Sequence, residues 1–530
     1  MLDYVIKNGT IVDGTGNLAY RADVGIANGR IARIGDLSSA PAGTVIDAAG
    51  KYVTPGFIDI HRHADAALFH PDFGEAELRQ GLTSVVNGNC GLSVVPCRGE
   101  FAAQIEAYLT PVTGKLPESV DLSTIGTYLD ALKRTPLPIN AGMLAGSGTT
   151  RACAAGFETL HLEQQQRLNY RAAIGRALED GALGVSLGLG YAPDCFYSTA
   201  ELIDALSPIA YSGLPVAVHM RQEGSGVVDA LKEIIAVAKA IHTPVEISHL
   251  KSIGRENWRR CTPEMLRLMD EARGDGVDVA CDVYPYTAGS TQLVHVLPPE
   301  SQQGGLEALT RNLSDASFRE MLKSRMLTGS DFENISLLVG FENIVVSSVA
   351  AEGFGQLEGK SIAEIADEQG KDCFTCLFDL LQAAHCGISM IDRITDEDDI
   401  CDILRDPCSC VISDSTYPDT GLLHPRVYGT FTTLLEHFVR EKRVLSLESA
   451  IHKITARPAR IMKLKTKGAL VEGMDADVCV FDLARVHTCA TFQSPRQCSE
   501  GIDDVLVNGS AAILNGVLTG AKAGRALCRR

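Results

Sequence analysis

The sequence predicts an α/β protein, a parallel barrel or doubly wound sheet, with a small β-domain assembled from both ends of the chain. Two observations carry this. Through the middle of the chain, short apolar runs alternate with longer helical stretches, the rhythm of strand–helix units around a parallel sheet. At both ends the pattern changes to alternation of apolar and polar residues around Asn-Gly pairs, the mark of short antiparallel strands.

The elements follow in order. DYVIKNGTIVDGTGN alternates around Asn8-Gly9, DVGIANGRIARIGD around Asn28-Gly29, and DDVLVNGSAAILNGVLTG around Asn508-Gly509. Both residues of such a pair tolerate positive φ, so each predicts a hairpin. Residues 1–54 and 465–530 are expected to form one β-domain from discontinuous sequence. Between them FIDI, TSVVNGNC, LGVSLGLGY, LPVAVHM, TPVEISHL, VDVACDVYPY and SCVISDS read as buried strands, and LEQQQRLNYRAAIGRALEDG and SGVVDALKEIIAVAKAI as helices. These belong to one large unit over 55–464. Residues 292–345 break its rhythm with polar, helical sequence and are expected to be an insertion.

Composition narrows the function. The 530 residues carry 48 basic and 66 acidic side chains, a formal charge of −18, which repels phosphate backbones and argues against a nucleic-acid partner. With 45% hydrophobic and 22% charged residues the chain has the balance of a soluble enzyme. MLDYVIKNGTIVDGTG lacks the basic and apolar regions of a secretory signal, and no stretch has the apolar length to span a bilayer. Sixteen cysteines scattered through the chain fit free thiols. The expectation is a cytoplasmic protein with no membrane partner. Oligomeric state has no signal in the sequence.

The chemistry starts at PGFIDIHRHAD, residues 55–65. Positions i and i+2 of a strand share a face, so His61 and His63 point the same way, as two ligands of one metal must. Four further potential ligands end apolar runs: Cys90, His219, His249 and Asp414. In a barrel all strand C-termini face one rim, so five strands would deliver four imidazoles, a thiolate and a carboxylate to one pocket, a donor set suited to Zn²⁺. Taken singly, each has an ordinary alternative: a packed cysteine, a core histidine, a helix-capping aspartate. Their joint appearance at strand ends favours a metal. Cys373 and Cys376 lack a second pair at zinc-ribbon spacing and sit in helical sequence, and Cys408 and Cys410 read as core. The glycines near residue 184 lack a phosphate-loop lysine. His242, His385 and His452 take no role; His295 borders the pocket at most.

In this order, PGFIDIHRHAD, NGNCG, HMRQEG, EISHLK, DVYPYTAGST, ISDS and HPRVYGTF resemble the D-aminoacylase group, the N-acyl-D-amino-acid deacylases of the amidohydrolase superfamily. The resemblance runs over nearly the whole chain. It implies a distorted (β/α)8 TIM-like barrel with a small β-sandwich from both termini and a small insertion. It implies a tight zinc on Cys90, His219 and His249, and a second, weaker metal position bordered by His61, His63, Cys90 and Asp414. The cysteine would stand where other superfamily members use a carboxylated lysine to bridge two metals. Asp414 matches the catalytic aspartate, and Lys251, Arg426, Tyr191, Tyr284 and Ser290 match positions that hold a substrate carboxylate. The substrate implied is a small N-acyl amino acid of D configuration. Two departures touch the pocket: Ser147 stands where the group often has histidine, and SLGLGYAPDC replaces its usual loop. No second arginine is clearly placed after Ser290 to recognise an acidic side chain, which favours a neutral or apolar substrate side chain. The alternatives are a cyclic-amide hydrolase of the hydantoinase or dihydroorotase kind, which needs a bridging lysine, and a barrel that only binds.

Overall fold

The structure, a computed structural model, describes residues 1–529. Among them eight parallel strands follow one another in chain order: β1 (Phe57–Asp59), β2 (Leu82–Asn87), β3 (Asn140–Met143), β4 (Val185–Gly188), β5 (Val216–His219), β6 (Val245–Ile247), β7 (Val279–Val283) and β8 (Ser409–Val411). Each of β1 to β3 and each of β4 to β8 pairs in parallel with its neighbour. The ring closes beyond β8, where Asp414 N donates to His61 O at 2.9 Å and His63 N to Ser415 O at 2.9 Å. Every residue of β2 (LTSVVN) and of β7 (VACDV) is buried. Strands covered on both faces lose the polar–apolar alternation and read as runs, which is why the sequence shows them. The covering helices keep theirs: in Val227–Ile241 the buried residues include Val227, Leu231, Ile234, Ala238 and Ile241, one stripe at helical spacing.

The ring is uneven between β3 and β4. A short extension of β3, Ala145–Gly146, pairs with β4, while at the opposite end Ala526–Leu527 pairs in parallel with β3. The last described part of the chain therefore lies on the barrel, a departure from the expectation that all of 465–530 joins the β-domain. Two half-buried residues there are too short a run to announce a strand.

Both termini do meet in one seven-stranded sheet, in which Tyr52–Pro55 and Thr10–Ile11 lie beside Val478–Phe481 and Ile502–Val507. A four-stranded sheet of Leu2–Lys7, Asp23–Ala27, Arg30–Gly35 and Ala42–Asp47 accompanies it. Ile6, Val24, Ile26, Val53, Val478 and Leu506 pack together as their shared core. Asn28-Gly29 and Asn508-Gly509 turn antiparallel hairpins. Asn8-Gly9 does not. Asn8 has the positive φ of 63°, yet Leu2–Lys7 pairs with Asp23–Ala27 and Ala42–Asp47 while Thr10–Ile11 belongs to the other sheet. An Asn-Gly turn fixes the change of direction, not the partner.

The insertion is larger than 292–345. Between β7 and β8, Ala288–Gln292, Ile344–Val349 and Ile388–Arg393 form a separate antiparallel sheet. It shares a core with flanking helices through Leu309, Val346, Leu377 and Met390. Of its strands, Ile344–Val349 (IVVSSV) begins as an apolar run, while Ala288–Gln292 (AGSTQ) carries almost no hydrophobic signal. Cys376 is buried in this core and Cys373 lies against it.

Candidate metal centre

The strands of the barrel end on one rim, and the residues just past those ends converge there. His219 is the last residue of β5; His61 and His249 lie two residues beyond β1 and β6; Cys90 and Asp414 lie three beyond β2 and β8. His63 follows with Arg62 turned away, its guanidinium 2.9 Å from Glu77 Oε1. All six side chains are buried. They form two groups with one member in common: Cys90, His219 and His249, and Cys90, His61, His63 and Asp414, the ligand atoms of each lying within 4.8 Å of one another.

Spacing within the groups fits a metal. His219 Nδ1 is 3.0 Å from His249 Nε2, and Cys90 Sγ is 3.5 Å from His249 Nε2 and 3.2 Å from His61 Nε2. Asp414 Oδ1 is 3.4 Å from His61 Nε2 and 3.3 Å from His63 Nε2. Tetrahedral ligands at about 2.0–2.3 Å from a zinc ion are roughly 3.3–3.7 Å apart. The donors are also oriented from behind. His249 Nδ1 lies 2.9 Å from Glu223 Oε1, and His61 Nδ1 lies 3.2 Å from Asp282 Oδ2. A carboxylate on one ring nitrogen fixes the tautomer that leaves the other nitrogen's lone pair toward the ion.

Electrostatics prepares the same donors. Burial pushes the Cys90 thiol up, but His61, His219 and His249 overcome it and hold it well below the usual thiol range, so the ligand form is present. Burial likewise opposes ionisation of Asp414, and Arg426 with His61 and His63 reverses this, holding the carboxyl well below its usual range. Burial and Lys251 pull the His249 imidazole down, Glu223 and Cys90 pull harder the other way, and it reaches about 9.

The five residues matched to a substrate carboxylate surround these groups. Arg426 Nη1 is 2.9 Å from Asp414 Oδ2, and its Nη2 donates to Ser290 O at 3.1 Å. Lys251 Nζ donates to Glu223 Oε2 at 2.6 Å. The Tyr284 ring lies 5.0 Å from the Arg426 guanidinium and 5.8 Å from Lys251 Nζ. Tyr191 stacks on His219 at 4.5 Å and shares a 2.9 Å hydrogen bond with Thr291 Oγ1. Ser147 lies behind the pocket: its hydroxyl donates to Asp194 Oδ1 at 2.8 Å, and Asp194 Oδ2 accepts from Gly188 N, bracing the loop after β4.

Comparison with known proteins gives this arrangement its lineage. Residues 44–512 match the model of the amidohydrolase family. The chain belongs to the amidohydrolase family. It is 35% identical to the N-acyl-D-glutamate deacylase of Alcaligenes xylosoxydans xylosoxydans, over 96% of this chain and 93% of that one. It is 33% identical to the D-aminoacylase of the same organism, over 99% and 98%. The crystal structure of an N-acyl-D-glutamate deacylase from Bordetella bronchiseptica, complexed with zinc and a phosphonate mimic of the tetrahedral intermediate, is 31% identical. It superposes with a TM-score of 0.85 over 100% of both chains. The amidohydrolase barrel with its accompanying sheet domain is the fold of this chain.

Sequence reading did not find Glu223, Asp282, Glu333 or Asp392. A signal existed for the first two. Glu223 stands four residues past His219, and Asp282 is a lone acid inside the apolar β7 run. Glu333 and Asp392 come from the insertion and have no neighbour in sequence that marks them.

Proposed function

We propose that this amidohydrolase is a zinc-dependent deacylase that hydrolyses the amide bond of N-acyl-D-amino acids, releasing a carboxylate and a free amino acid. The observation that carries the reading is Cys90 Sγ, the one donor common to both groups, at the place where a cyclic-amide hydrolase would need a lysine. Cys90, His219 and His249 would hold the tight ion, and His61, His63, Cys90 and Asp414 a second, weaker one. The chemistry that a divalent ion supplies there is polarisation of the amide carbonyl and a lowered pKa for the attacking water.

The chain's own groups do the rest. Asp414 takes the water's proton on its carboxylate and returns it to the departing nitrogen, whose expulsion otherwise stalls. Arg426, a planar fork at the pocket wall, and Lys251 grip the substrate α-carboxylate. Tyr191, Tyr284 and Ser290 frame it. Burial of the site keeps bulk water from screening these contacts. The D configuration is supported by the likeness to D-specific relatives, and a reducing cytoplasm is the setting that keeps Cys90 a ligand rather than a disulfide.

The test is a panel of N-acetyl-D- and N-acetyl-L-amino acids assayed for released amine with the zinc-loaded enzyme. Turnover of D-substrates supports the reading. Hydrolysis of hydantoins or dihydroorotate, with none of any D-substrate, overturns it.

A further inference from the structure

The pocket wall contributed by the insertion carries charge that the deacylase chemistry does not use. Glu333, buried, holds His295 Nε2 at 3.2 Å and accepts from Glu223 N at 2.5 Å. His295 in turn stacks at 4.7 Å on Tyr191, the ring that covers His219. Asp392 is only 3% exposed, and among the described residues its carboxylate has neither a hydrogen bond nor an ion pair. The ionisable groups that act on it most are Glu333, His295, Lys251 and Arg426, and each basic side chain among them already faces a carboxylate of its own: Lys251 has Glu223, Arg426 has Asp414 and His295 has Glu333. A buried carboxylate without a partner is costly and is retained where something else supplies the charge.

The strand opposite it brings it to the substrate-binding residues. Asp392 pairs across the insertion sheet with Gly289. A Cβ at Gly289 would come within 2.9 Å of Asp392 Oδ1 and 3.3 Å of the Tyr284 hydroxyl. The same Cβ would lie 2.8 Å from Ile394 Cδ1, so only glycine lets the carboxylate and the Tyr284 hydroxyl both come this close to the strand. The next residue, Ser290, places its carbonyl 3.1 Å from Arg426 Nη2, so Asp392 lies across the sheet beside the residue that touches the guanidinium assigned to the α-carboxylate. Burial and Glu333 push the Asp392 carboxyl up to about 6 against the pull of Lys251 and Arg426.

We propose that Asp392, with Glu333 behind it, selects substrates whose amino-acid side chain carries a cation, that is, N-acyl derivatives of lysine-, ornithine- or arginine-type amino acids, and rejects those with a carboxylate side chain. This rests on the deacylase reading, and it departs both from the neutral side chain that the missing arginine favours in sequence and from the glutamate side chain of the relative at 35% identity. An acidic side chain placed beside Asp392 would face two buried carboxylates; a cationic one would meet Asp392 in low dielectric, where such pairs discriminate strongly.

The test uses the zinc-loaded full-length enzyme. For N-acetyl-D-lysine, -ornithine and -arginine, kcat/KM is expected to exceed that for N-acetyl-D-glutamate by about 100-fold, the cost of facing a buried charge of the wrong sign. In Asp392→Asn the ratio of lysine to leucine substrate falls by about 100-fold, and in Gly289→Ala, whose methyl crowds the carboxylate, the ratio falls in the same direction. Equal or faster turnover of the glutamate substrate, or an unchanged ratio in Asp392→Asn, overturns the proposal. Calorimetric binding of free D-lysine and D-leucine to the same enzyme separates the two readings. Preference for D-lysine without hydrolysis of any N-acyl substrate leaves the pocket assignment standing and removes the deacylase. Hydrolysis of the leucine substrate without a preference for D-lysine does the reverse.

Discussion

Cys90, His249 and Asp414 have φ of 54°, 37° and 50°, the left-handed region that costs a non-glycine residue about 1–3 kcal/mol. Three of the six donors are thus held in a backbone conformation that their own side chains disfavour, fixed by the sheet on one side and the loop on the other. Cys90→Ala should fold, and elemental analysis should find the tight metal gone, because two imidazoles alone do not replace a thiolate shared by both groups. Asp414→Asn is the contrasting case. It keeps the shape and the Arg426 contact but cannot take a proton, so the tight metal stays and kcat falls by roughly 10²–10⁴; activity near normal would remove Asp414 from the proton path. The pKa shifts also set a pH dependence. His249 reaches about 9, and the surroundings raise His61 and His63 as well, so in metal-free protein at neutral pH the His249 ring holds a proton that a cation must expel. Zinc affinity should fall as pH falls and rise with pH up to about 9. Titration calorimetry in buffers of different ionisation enthalpy would register the released protons, and an affinity flat between pH 6 and about 9 would contradict the assignment.

Elements place these residues, and the loops after the strands do so at close quarters. Gly190, in the loop that follows β4, has no side chain where a Cβ would lie 2.7 Å from His219 Nε2 and 3.2 Å from His295 Cε1. Gly190→Ala should push the His219 ring from its place between Tyr191 and His249. The expected result is metal affinity lowered by roughly 10–100-fold, the size of effects seen when a ligand's supporting contacts are disturbed. The thermal midpoint of the metal-free protein should hardly change. The same scale shows what the sequence made legible. His61 and His63 are readable because strand geometry forces i and i+2 onto one face, and most barrel strands are readable because burial on both sides leaves apolar runs. β3 is not, since NAGM carries neither β-branched nor aromatic residues. Ala288–Gln292 (AGSTQ) is equally silent, and it pairs in the insertion sheet. Asp392 was illegible for a further reason: its importance comes from Gly289, Glu333 and Arg426, none of them close to it in the chain, and no local pattern encodes that meeting.

At the scale of the whole molecule, the ligand-bearing rim and the weakest seam of the barrel lie at opposite ends of the strands. Around the start of β3 the chain's last segment completes the hydrogen bonding that a neighbouring strand would otherwise supply. Gly524 N donates to Leu137 O at 2.9 Å, Ala141 N to Arg525 O at 3.0 Å and Arg529 N to Gly181 O at 3.2 Å, while Arg525 N donates to Asn140 Oδ1 at 3.1 Å. Gly181 leads into β4, so residues 524–529 stitch β3 to β4 where their own pairing is missing. Deleting 524–530 removes these bonds, each worth about 0.5–1.5 kcal/mol, and leaves backbone groups at the base of the barrel without partners. The candidate ligands sit at the other end of the strands, so the loss concerns the closure of the ring and not the donors. The truncated chain should therefore melt several degrees lower by calorimetry while its folded fraction keeps the metal stoichiometry of the full chain. Unchanged melting would show that β3 and β4 close the seam unaided, and loss of metal together with stability would show that the two ends of the barrel are coupled more tightly than these contacts imply.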